Sequence, residues 1–307
     1  MWVTSSTANI LTPTVIALGN FDGLHLGHRS VLQPICLPPT EIISSYSTVV
    51  TFTPHPQEFF TGQARQLLTP LSEKIQRLED LGIQQLVRLP FDRQLSALSP
   101  QEFVVQILVK HLQAKQISVG EDFRFGHKRI GNTKDLSEIA ASFGIPVHIT
   151  PLETYSSLQK RISSSLIRQY LAEGKIIKVK QMLGYSYSLI GIVVRGQQLG
   201  KTIGFPTANL KLPSDKLLPR QGVYAVRVKI NRGKRLKGVM NFGCRPTVAG
   251  ETPTVEIHIL DWSGDLYQQL LTVELEEFLR PEQKFVSLGK LKEQIVQDCR
   301  IAREILC

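Results

Sequence analysis

The sequence lacks the features that mark membrane, secreted and metal-bound proteins. No apolar run approaches the roughly 18–20 residues needed to cross a bilayer. Residues 1–19 contain no Lys or Arg, so the charged start of a secretory signal is missing. Cysteine is scarce, and Cys36, Cys244, Cys299 and Cys307 form no CxxC pair and no metal-ligand spacing. These absences predict free thiols in a reducing compartment, a cytoplasmic location and no membrane partner.

What the chain has instead is positive charge. Its 36 Lys and Arg residues against 26 Asp and Glu residues give a formal net charge of +10, which favours anionic ligands. The basic residues are scattered, with only short clusters such as Lys128-Arg129 and Arg232–Lys237. Nucleic-acid binders more often carry a basic stripe interleaved with exposed aromatic residues. We therefore expect small phosphate-bearing ligands and no nucleic acid.

The first half of the chain alternates strand and helix patterns. Short β-rich runs occur at Val15–Leu18, Thr48–Phe52, Leu86–Leu89, Ile117–Val119 and Val147–Ile149. Helical spacing occurs from about Leu26 and at Ser72–Leu81, Gln101–Leu112 and Leu136–Ser142. Strands separated by helices predict parallel pairing in a sheet that helices cover on both faces.

The pattern changes after Gly184. Strands with alternating apolar residues are predicted at Tyr224–Ile230 and Thr254–Leu260, with a hairpin turn at Asn231–Lys234. An amphipathic helix is predicted from about Leu288 to Leu306. These signals indicate an antiparallel sheet or barrel that ends in a helix.

The 307 residues are enough for two domains with separate cores, and we place the boundary at this change of pattern. Residues 1–184 are predicted to form an α/β domain with a Rossmann-like parallel sheet. Residues 185–307 are predicted to form a mainly antiparallel β domain with a C-terminal helix. The sequence shows no internal repeat and sets no oligomeric state.

The densest motif is the segment Gly19-Asn20-Phe21-Asp22-Gly23-Leu24-His25-Leu26-Gly27-His28, at the predicted turn from a strand into a helix. Open α/β sheets bind ligands at this edge, and a helix N-terminus offers free N–H groups to a phosphate. His25 and His28 are three residues apart, so both imidazoles can donate hydrogen bonds to a reacting phosphate. The alternatives are capping or core histidines, or half of a zinc site that no other His/Cys cluster completes. We expect a phosphate site.

The motif resembles the HxGH signature of the nucleotidylyltransferase superfamily. That resemblance implies a second element, a Ser/Thr-rich helix start on the opposite side of a triphosphate. The segment Arg161–Arg168 matches it, although alone it would be an ordinary helix cap. The resemblance implies that His25 and His28 are catalytic. It also implies an ATP and phosphate site made of Gly19, Asn20, Phe21, Asp22, Gly23, Gly27, Arg161, Ser164, Ser165 and Arg168.

Two intermediate segments narrow the resemblance. One contains Pro54 and His55, and the other, Gly120–Gly126, contains Asp122, Phe123 and Phe125. Either alone could be a simple turn. In this order, they resemble the FMN adenylyltransferase module of bacterial bifunctional riboflavin kinase/FAD synthetases. The resemblance implies that these five residues lie on the flavin side of the site.

A second constellation lies in the C-terminal half. The segment from Gly196 looks like a P-loop, but three residues rather than four separate it from Gly200, and Gly204 and Pro206 would break the helix that a P-loop requires. The longer pattern GxxxGKxxGFPTAN instead resembles the riboflavin kinase module, a six-stranded barrel. The resemblance implies that ATP and its phosphates contact Gly196, Gly200, Lys201, Gly204, Phe205 and Pro206. It also implies that Thr207 and Asn209 bind Mg²⁺, which prefers oxygen ligands of this kind.

Glu256 is the residue that we expect to act as the catalytic base of the kinase. It lies on the polar side of an alternating strand, where a carboxylate could accept the proton of a substrate hydroxyl. The alternative is a solvated strand glutamate. The family pattern N-x-G-x-R-P-T, followed by a Glu and a His, is matched by Asn241–Thr247 and by Glu256-Ile257-His258. A further family segment close to the flavin, Phe278–Phe285, implies a substrate contact for Arg280.

The resemblance covers about Val15 to Ala302 and implies two consecutive reactions. Riboflavin would be phosphorylated by ATP with Mg²⁺ to give FMN, and FMN would be adenylylated by a second ATP to give FAD and pyrophosphate. Residues 31–47 depart from the family pattern because they are short and contain Pro34, Pro38 and Pro39. We therefore expect both activities, with the adenylyltransferase the more readily weakened.

Two other readings of the sequence stay open. One is a nucleotidyltransferase for a different small molecule, such as nicotinate mononucleotide or phosphopantetheine, fused to a non-catalytic barrel that binds flavin. The other is a non-enzymatic nucleic-acid or flavin-sensing protein, which the net charge of +10 suggests.

Overall fold

The computed structural model describes residues 1–36, 44–155, 160–196, 200, 203–231, 233–247 and 250–307. By its internal contacts the chain divides into two compact units, Met1–Ser164 and Ser165–Cys307. The boundary predicted after residue 184 assigns residues 165–184 to the first domain, whereas these contacts group that stretch with the second unit. Two reasons are the hydrogen bond from Arg220 N–H to the Leu171 carbonyl (2.9 Å) and the ion pair between Lys180 and Glu276 (2.6 Å).

The first unit is built on a six-stranded parallel sheet in the order β1-β4-β3-β2-β5-β6. The strands are β1 (Trp2–Thr4), β2 (Thr14–Leu18), β3 (Tyr46–Thr53), β4 (Gln85–Pro90), β5 (Ala114–Gly120) and β6 (Val147–Thr150). The helices are α1 (Leu26–Cys36), α2 (Pro56–Thr61), α3 (Leu71–Asp80), α4 (Arg93–Ala97), α5 (Pro100–Glu102), which continues as a π-helical segment over Phe103–His111, and α6 (Thr133–Ala141). A short hairpin of β7 (Thr154–Tyr155) and β8 (Lys160–Arg161) follows.

Alternating residues of the central strands enter two separate cores. Val15 and Ala17 of β2 pack with the buried side chains of α1 and α3, while Ile16 and Leu18 pack with Phe103–His111 and α6. Both faces of β2 are therefore covered, and all five of its residues are buried. The predicted parallel sheet with helices on both faces is confirmed.

Helix α1 extends to Cys36 although Pro34 lies inside it. Proline cannot donate the helical hydrogen bond, so its presence costs stability in a helix interior. Side chains of β5 bind the same turn, because Ser118 Oγ donates to the Val31 carbonyl (2.6 Å) and Gln116 Nε2 donates to the Pro34 carbonyl (3.0 Å). The structure thus anchors the end of α1 to the sheet. Pro38 and Pro39 lie outside the described residues.

The second unit is a closed six-stranded antiparallel barrel in the order β10-β13-β12-β11-β14-β9. Two helices precede it, α7 (Ser164–Ala172) and α8 (Ile176–Leu183), and α9 (Leu288–Ile305) follows it. The strands are β9 (Ser188–Val194), β10 (Ala208–Lys211), β11 (Gly222–Ile230), β12 (Arg235–Thr247), β13 (Gly250–Ile259) and β14 (Leu270–Arg280). The antiparallel pairing of β11 with β12 confirms the predicted hairpin, and the closed barrel confirms the implied six-stranded architecture.

The barrel packs α9 against its outer surface. Val223 and Ala225 of β11 form a cluster with Cys299 and Ala302 of α9, while Val228 is buried on the other side of the same strand. The apolar stripe predicted for the helix therefore faces the barrel. Strands β1 and β10 were not predicted because three or four residues are too few to show a period. Strand β14 was also not predicted, although Leu271, Val273 and Leu275 alternate with polar residues.

Replacing Leu275 by Ala should destabilise the second unit by about 2–5 kcal/mol, because this fully buried side chain would leave a cavity in the barrel. Trp2 and Trp262 lie in different units, so Trp2→Phe leaves one fluorescent reporter for the barrel. Denaturant titration of that variant measures the loss. Ile192→Ala, on an exposed side chain of β9, is the control and should change stability by less than about 1 kcal/mol. Equal effects of the two substitutions would contradict the assigned core.

Candidate active sites

The first site starts at an unusual turn between β2 and α1. Phe21 and Leu24 adopt positive φ angles of 47° and 40°, and Gly23 lies between them at 90°. Side chains resist this left-handed region, so the turn needs support from its surroundings. Thr69 gives part of it, because its hydroxyl accepts from Gly23 N–H (2.9 Å) and its own N–H donates to Asp22 Oδ1 (3.1 Å).

The two histidines of the motif stack directly on each other. The ring centroids of His25 and His28 are 3.6 Å apart and the ring planes differ by 13°. His25 Nδ1 accepts the backbone N–H of His28 (3.2 Å), so His25 also caps α1. Since Nδ1 acts as the acceptor, the proton of the neutral ring lies on Nε2. His25 therefore combines the capping role and an N–H donor at the start of a helix.

Burial keeps both imidazoles uncharged. His25 is 6% exposed, and mainly burial, with help from the charge of Arg161, lowers its pKa from 6.5 to about 4. Burial and the neighbouring His25 ring also lower the pKa of His28. Among the described residues, no hydrogen-bond partner satisfies the buried Nδ1 of His28. A buried polar atom without a partner is expensive, so this atom is a candidate for binding a ligand.

Other predicted residues of this site lie around the turn. Gly19 ends β2, and Ser164 Oγ donates to the carbonyl of Asp22 (2.8 Å). A Cβ at Gly27 would lie in van der Waals contact with the His25 ring and with Glu153 (3.4 and 3.5 Å). Arg161 binds Asp122 in a close ion pair (2.5 Å), which joins a residue of the implied ATP side to one of the implied flavin side. Ser165 and Arg168 belong to α7 in the second unit.

An aromatic cavity of about 520 Å³ lies beside the turn in the first unit. Its lining includes Asn20 and His55, together with Phe52, Phe60, Phe91, Phe103, Phe123 and Phe125. Phe123 and Phe125 are stacked with ring centroids 5.7 Å apart. Six phenylalanines around one cavity suit a large flat aromatic ligand. Pro54 is exposed at the end of β3, outside this lining.

His55 connects the cavity to the turn. Its Nε2 lies 2.9 Å from Asn20 Nδ2, and its Nδ1 accepts from Gln57 N–H (3.0 Å), which caps α2. Arg65 Nη1 lies 3.2 Å from the same Nε2. Burial and the charge of Arg65 lower the pKa of His55, so this ring is also neutral near pH 7. The contact between His55 and Asn20 therefore joins the implied flavin side to the turn between β2 and α1.

In the second unit, strand register brings the predicted kinase residues together. Asn209 of β10 is the direct partner of Glu256 of β13, and Asn241 of β12 is the partner of Glu256 on the other side. Residues opposite each other in neighbouring strands share a face and lie within side-chain contact distance. Val255 and Ile257 point into the barrel and are buried, so Glu256 points outward.

The segment before β10 folds back onto these residues. Phe205 N–H donates to the Gly200 carbonyl (2.8 Å), and the Pro206 carbonyl accepts from His258 Nδ1 (2.9 Å). A side chain at Gly196 would overlap the amide of Asn209, and one at Gly200 would overlap the Phe205 carbonyl. At both glycines, neighbouring atoms approach so closely that no room is left for a side chain. Gly204 needs glycine for a different reason, its φ of 89°. Lys201 lies outside the described residues.

Two cavities meet at Thr207. One of about 310 Å³ is lined by Glu256, Asn241 and Arg280 and by apolar residues of β11, β12 and α9. The other, of about 330 Å³, is lined by Trp262, Asp265 and Tyr267 on the loop after β13. Because Thr207 lines both, a ligand in each would place its reacting end near Thr207 and Glu256.

Arg280 has a structural partner within the first of these cavities. Its guanidinium binds Asp298 of α9 through two hydrogen bonds (2.9 and 2.7 Å) and also donates to the Pro281 carbonyl (3.1 Å). Asp298 is buried and also accepts from Gln294 Nε2 (2.9 Å). The arginine thus ties α9 to the end of β14 at the wall of the cavity.

Comparison with known proteins identifies the family to which each half of the chain is similar. A family model described as FAD synthetase matches residues 7–166, and one described as riboflavin kinase matches residues 183–306. A bifunctional riboflavin kinase/FMN adenylyltransferase from Escherichia coli (strain K12) is 42% identical over 291 residues, which cover 94% of this chain and 92% of the relative. The protein of the same name from Haemophilus influenzae is 37% identical, covering 96% and 94%.

The chain belongs to the bifunctional riboflavin kinase/FMN adenylyltransferase family. It is also similar to a solved structure described as a macrolide-efflux protein from Streptococcus pneumoniae, at 28% identity and a TM-score of 0.87 over 98% of each chain. In the part of this chain that the structure describes, no helix is both long enough and apolar enough to cross a membrane.

Several residues of these sites carry no signal in the sequence. The cavity phenylalanines Phe60, Phe91 and Phe103 come from three separate segments, and Trp262 and Tyr267 lie in a loop without a motif. Only the folded chain brings them to the binding surfaces. The sequence offers one weak signal for these cavity residues, which is an aromatic residue close to prolines, such as Phe60 after Pro56.

The first unit should lose stability as the pH falls from 7 to 5. The folded state lowers the pKa of His25 from 6.5 to about 4, so in this window the unfolded chain binds the extra proton. The free energy of unfolding should fall by about 2 kcal/mol for this group, and His28 acts in the same direction. Urea titration at both pH values, followed by Trp2 in a Trp262→Phe background, measures the change. The dependence should weaken in His25→Gln; an unaltered dependence there would contradict this assignment.

Proposed function

We propose that this chain catalyses two consecutive steps of flavin nucleotide synthesis. The second unit phosphorylates riboflavin with ATP to FMN and ADP, and the first unit transfers AMP from a second ATP to FMN, giving FAD and pyrophosphate. The observation that carries the proposal is that the two candidate sites lie in separate units, each in the part of the chain that matches the corresponding family model. Both steps are in-line attacks on phosphorus, in which positioning and charge stabilisation supply most of the catalysis.

In adenylyl transfer, the aromatic cavity would hold the isoalloxazine ring of FMN, with the phosphate directed toward Asn20. The start of α1 and the His25 Nε2–H would face the phosphates of ATP. Fixed neutral donors of this kind stabilise charge as it develops, typically by a few kcal/mol each. The buried Nδ1 of His28 has no hydrogen-bond partner in the part of the chain that the structure describes, which supports a ligand at this position. Arg161 and Ser164 of the same unit are proposed to complete the ATP side, while the role of Ser165 and Arg168 stays a prediction from the resemblance.

In the kinase step, Glu256 would accept the proton of the riboflavin 5′-hydroxyl as that oxygen attacks the γ-phosphate of ATP. The cavity of about 310 Å³ would bind riboflavin, with Arg280 in its wall. The cavity beyond Thr207 would bind the nucleoside, where Trp262 and Tyr267 offer aromatic surfaces. The position of Glu256 opposite Asn209 supports this arrangement, since it puts the base beside the implied phosphate site.

The kinase residues fit a bound Mg²⁺. Thr207 and Asn209 offer hydroxyl and amide oxygens beside the carboxylate of Glu256, and hard oxygen donors suit this ion. No cluster of three or more His, Cys, Asp or Glu side chains occurs among the described residues, and Mg²⁺ bound mainly by phosphates and water needs none. When bound, Mg²⁺ would neutralise charge on the ATP phosphates. The free thiols of the four cysteines support the proposed cytoplasmic location.

The main competing function is a different nucleotidyltransferase fused to a non-catalytic barrel. The matched riboflavin kinase model and the register of Glu256 with Asn209 argue against it. A nucleic-acid or flavin-sensing protein would need neither phosphate site. Neither competitor predicts ATP-dependent phosphorylation of riboflavin.

Two substitutions should separate the reactions when flavins are resolved by chromatography after incubation with ATP and Mg²⁺. The wild-type chain should convert riboflavin to FMN and then FAD. His28→Ala should lower FAD formation from FMN by about 10²–10³-fold and leave FMN formation unchanged. Glu256→Ala should lower riboflavin phosphorylation by about 10²–10⁴-fold and leave FAD formation from added FMN unchanged.

Exposed residues of the same types provide matched controls for these two variants. His148→Ala in the first unit and Glu293→Ala on α9 should preserve both reactions. If either site variant reduced both reactions equally in folded protein, the assignment of one reaction to each unit would be wrong. No flavin conversion by the wild-type chain would contradict the proposed function as a whole.

Gly196→Ala should impair the kinase with little loss of stability. The added methyl group would overlap the flexible end of Asn209, which can move aside and leave the proposed phosphate site. We expect riboflavin phosphorylation to fall at least about tenfold, the effect of losing one well-placed polar contact. Steady-state kinetics measures this, with FAD formation from FMN as the internal control. Wild-type kinase activity in this variant would contradict the role of Asn209.

A further inference from the structure

A lysine outside the motifs supports the turn of the first site. Lys74 of α3 donates from Nζ to the carbonyl oxygen of Asn20 (2.8 Å). The same stretch of chain supplies Thr69, which binds Asp22 and Gly23. Three hydrogen bonds from residues 69–74 therefore hold the turn that precedes α1. None of the roles described above uses Lys74.

The contact lies where the turn needs an external partner. Asn20 is followed by Phe21 in the left-handed region, so its carbonyl points away from the regular strand pattern. The side chain of the same residue contacts His55 at the aromatic cavity. A shift of the Asn20 backbone would therefore move both the phosphate turn and the polar end of the cavity.

We propose that Lys74 is a positioning residue for adenylyl transfer, which holds Asn20 in place and puts a positive charge beneath the phosphate turn. The inference rests on the proposed adenylyltransferase function of the first unit. Lys74 acts on the position of Asn20 and on the electrostatic potential at the histidines. It is not proposed to contact the reacting phosphate.

The charge of Lys74 is sensitive to pH in the range of an enzyme assay. Burial, together with the charge of Arg88 on β4, lowers its pKa to about 8, while Asp22 in the turn opposes the shift. The ammonium group also lowers the pKa of His28 on α1 and of His55 before α2. At pH 7, most molecules carry this charge, and above pH 8 most have lost it. Since kcat/KM reports the free enzyme, its alkaline limb should reflect this titration.

The test compares variants of the full chain in both reactions. Lys74→Met should lower kcat/KM for FAD formation from FMN by about 10- to 100-fold, the effect of losing a hydrogen bond from a charged donor. Riboflavin phosphorylation by the same preparation should be unchanged. Lys134→Met, which removes an exposed lysine of α6, is the matched charge control and should leave both reactions unchanged.

Lys74→Arg supplies a readout that a purely structural role would not change. Arginine stays protonated throughout the assay range, so this variant should retain most of the activity at pH 7, and the alkaline limb near pH 8 should move upward or disappear. Denaturant titration of Trp2 fluorescence, with each substitution placed in a Trp262→Phe background, verifies that each variant is folded.

The outcomes separate this inference from the function on which it rests. Wild-type kcat/KM and pH dependence in Lys74→Met would overturn the positioning role. An alkaline limb that is unchanged in folded, active Lys74→Arg would overturn the role of its charge. If instead the wild-type chain made FMN and no FAD from it, the proposed adenylyltransferase function would itself be wrong.

Discussion

The backbone of the turn between β2 and α1 is held in a conformation that side chains resist, and the first site depends on it. Phe21 and Leu24 lie in the left-handed region, which costs free energy unless the surroundings compensate. Thr69 and Ser164 supply hydrogen bonds from outside the turn. With these contacts in place, the turn positions the start of α1 and the two stacked histidines next to each other. The need for this support explains why residues distant in sequence form hydrogen bonds with the same few backbone groups of the turn.

The second site depends on strand register in the same way. Asn209, Glu256 and Asn241 share one face because three antiparallel strands pair at these positions. A slip of one residue would turn Glu256 into the apolar interior of the barrel and Ile257 out of it. The buried residues on either side of Glu256 therefore maintain the register that keeps this carboxylate on the outer face, where the proposed base has to lie.

Much of the architecture was predictable because it follows from periodicity. The five predicted strands of the first unit, the hairpin at Asn231 and the helix that contains Ala302 all appear in the structure. Strand β14 was not among the predicted strands, although Leu271, Val273 and Leu275 alternate with polar residues. Only the structure shows that Glu274 on its polar face pairs with Lys229 and Arg235 from other parts of the chain. The internal contacts group α8 with the barrel, and no local pattern indicates this because its partner Glu276 lies far along the sequence.

The sequence by itself determined the proposed chemistry of the two sites, because HxGH, PTAN and the Glu256 strand are local patterns. Their residue types and spacing can be recognised along the chain without the fold. Tertiary structure alone decided which groups surround them. The six-phenylalanine cavity, the contact of Lys74 with Asn20 and the pairing of Arg280 with Asp298 each join segments far apart in the chain. Burial also set the charge state of the histidines, since desolvation depends on what packs around a ring and leaves no trace in its neighbours along the sequence.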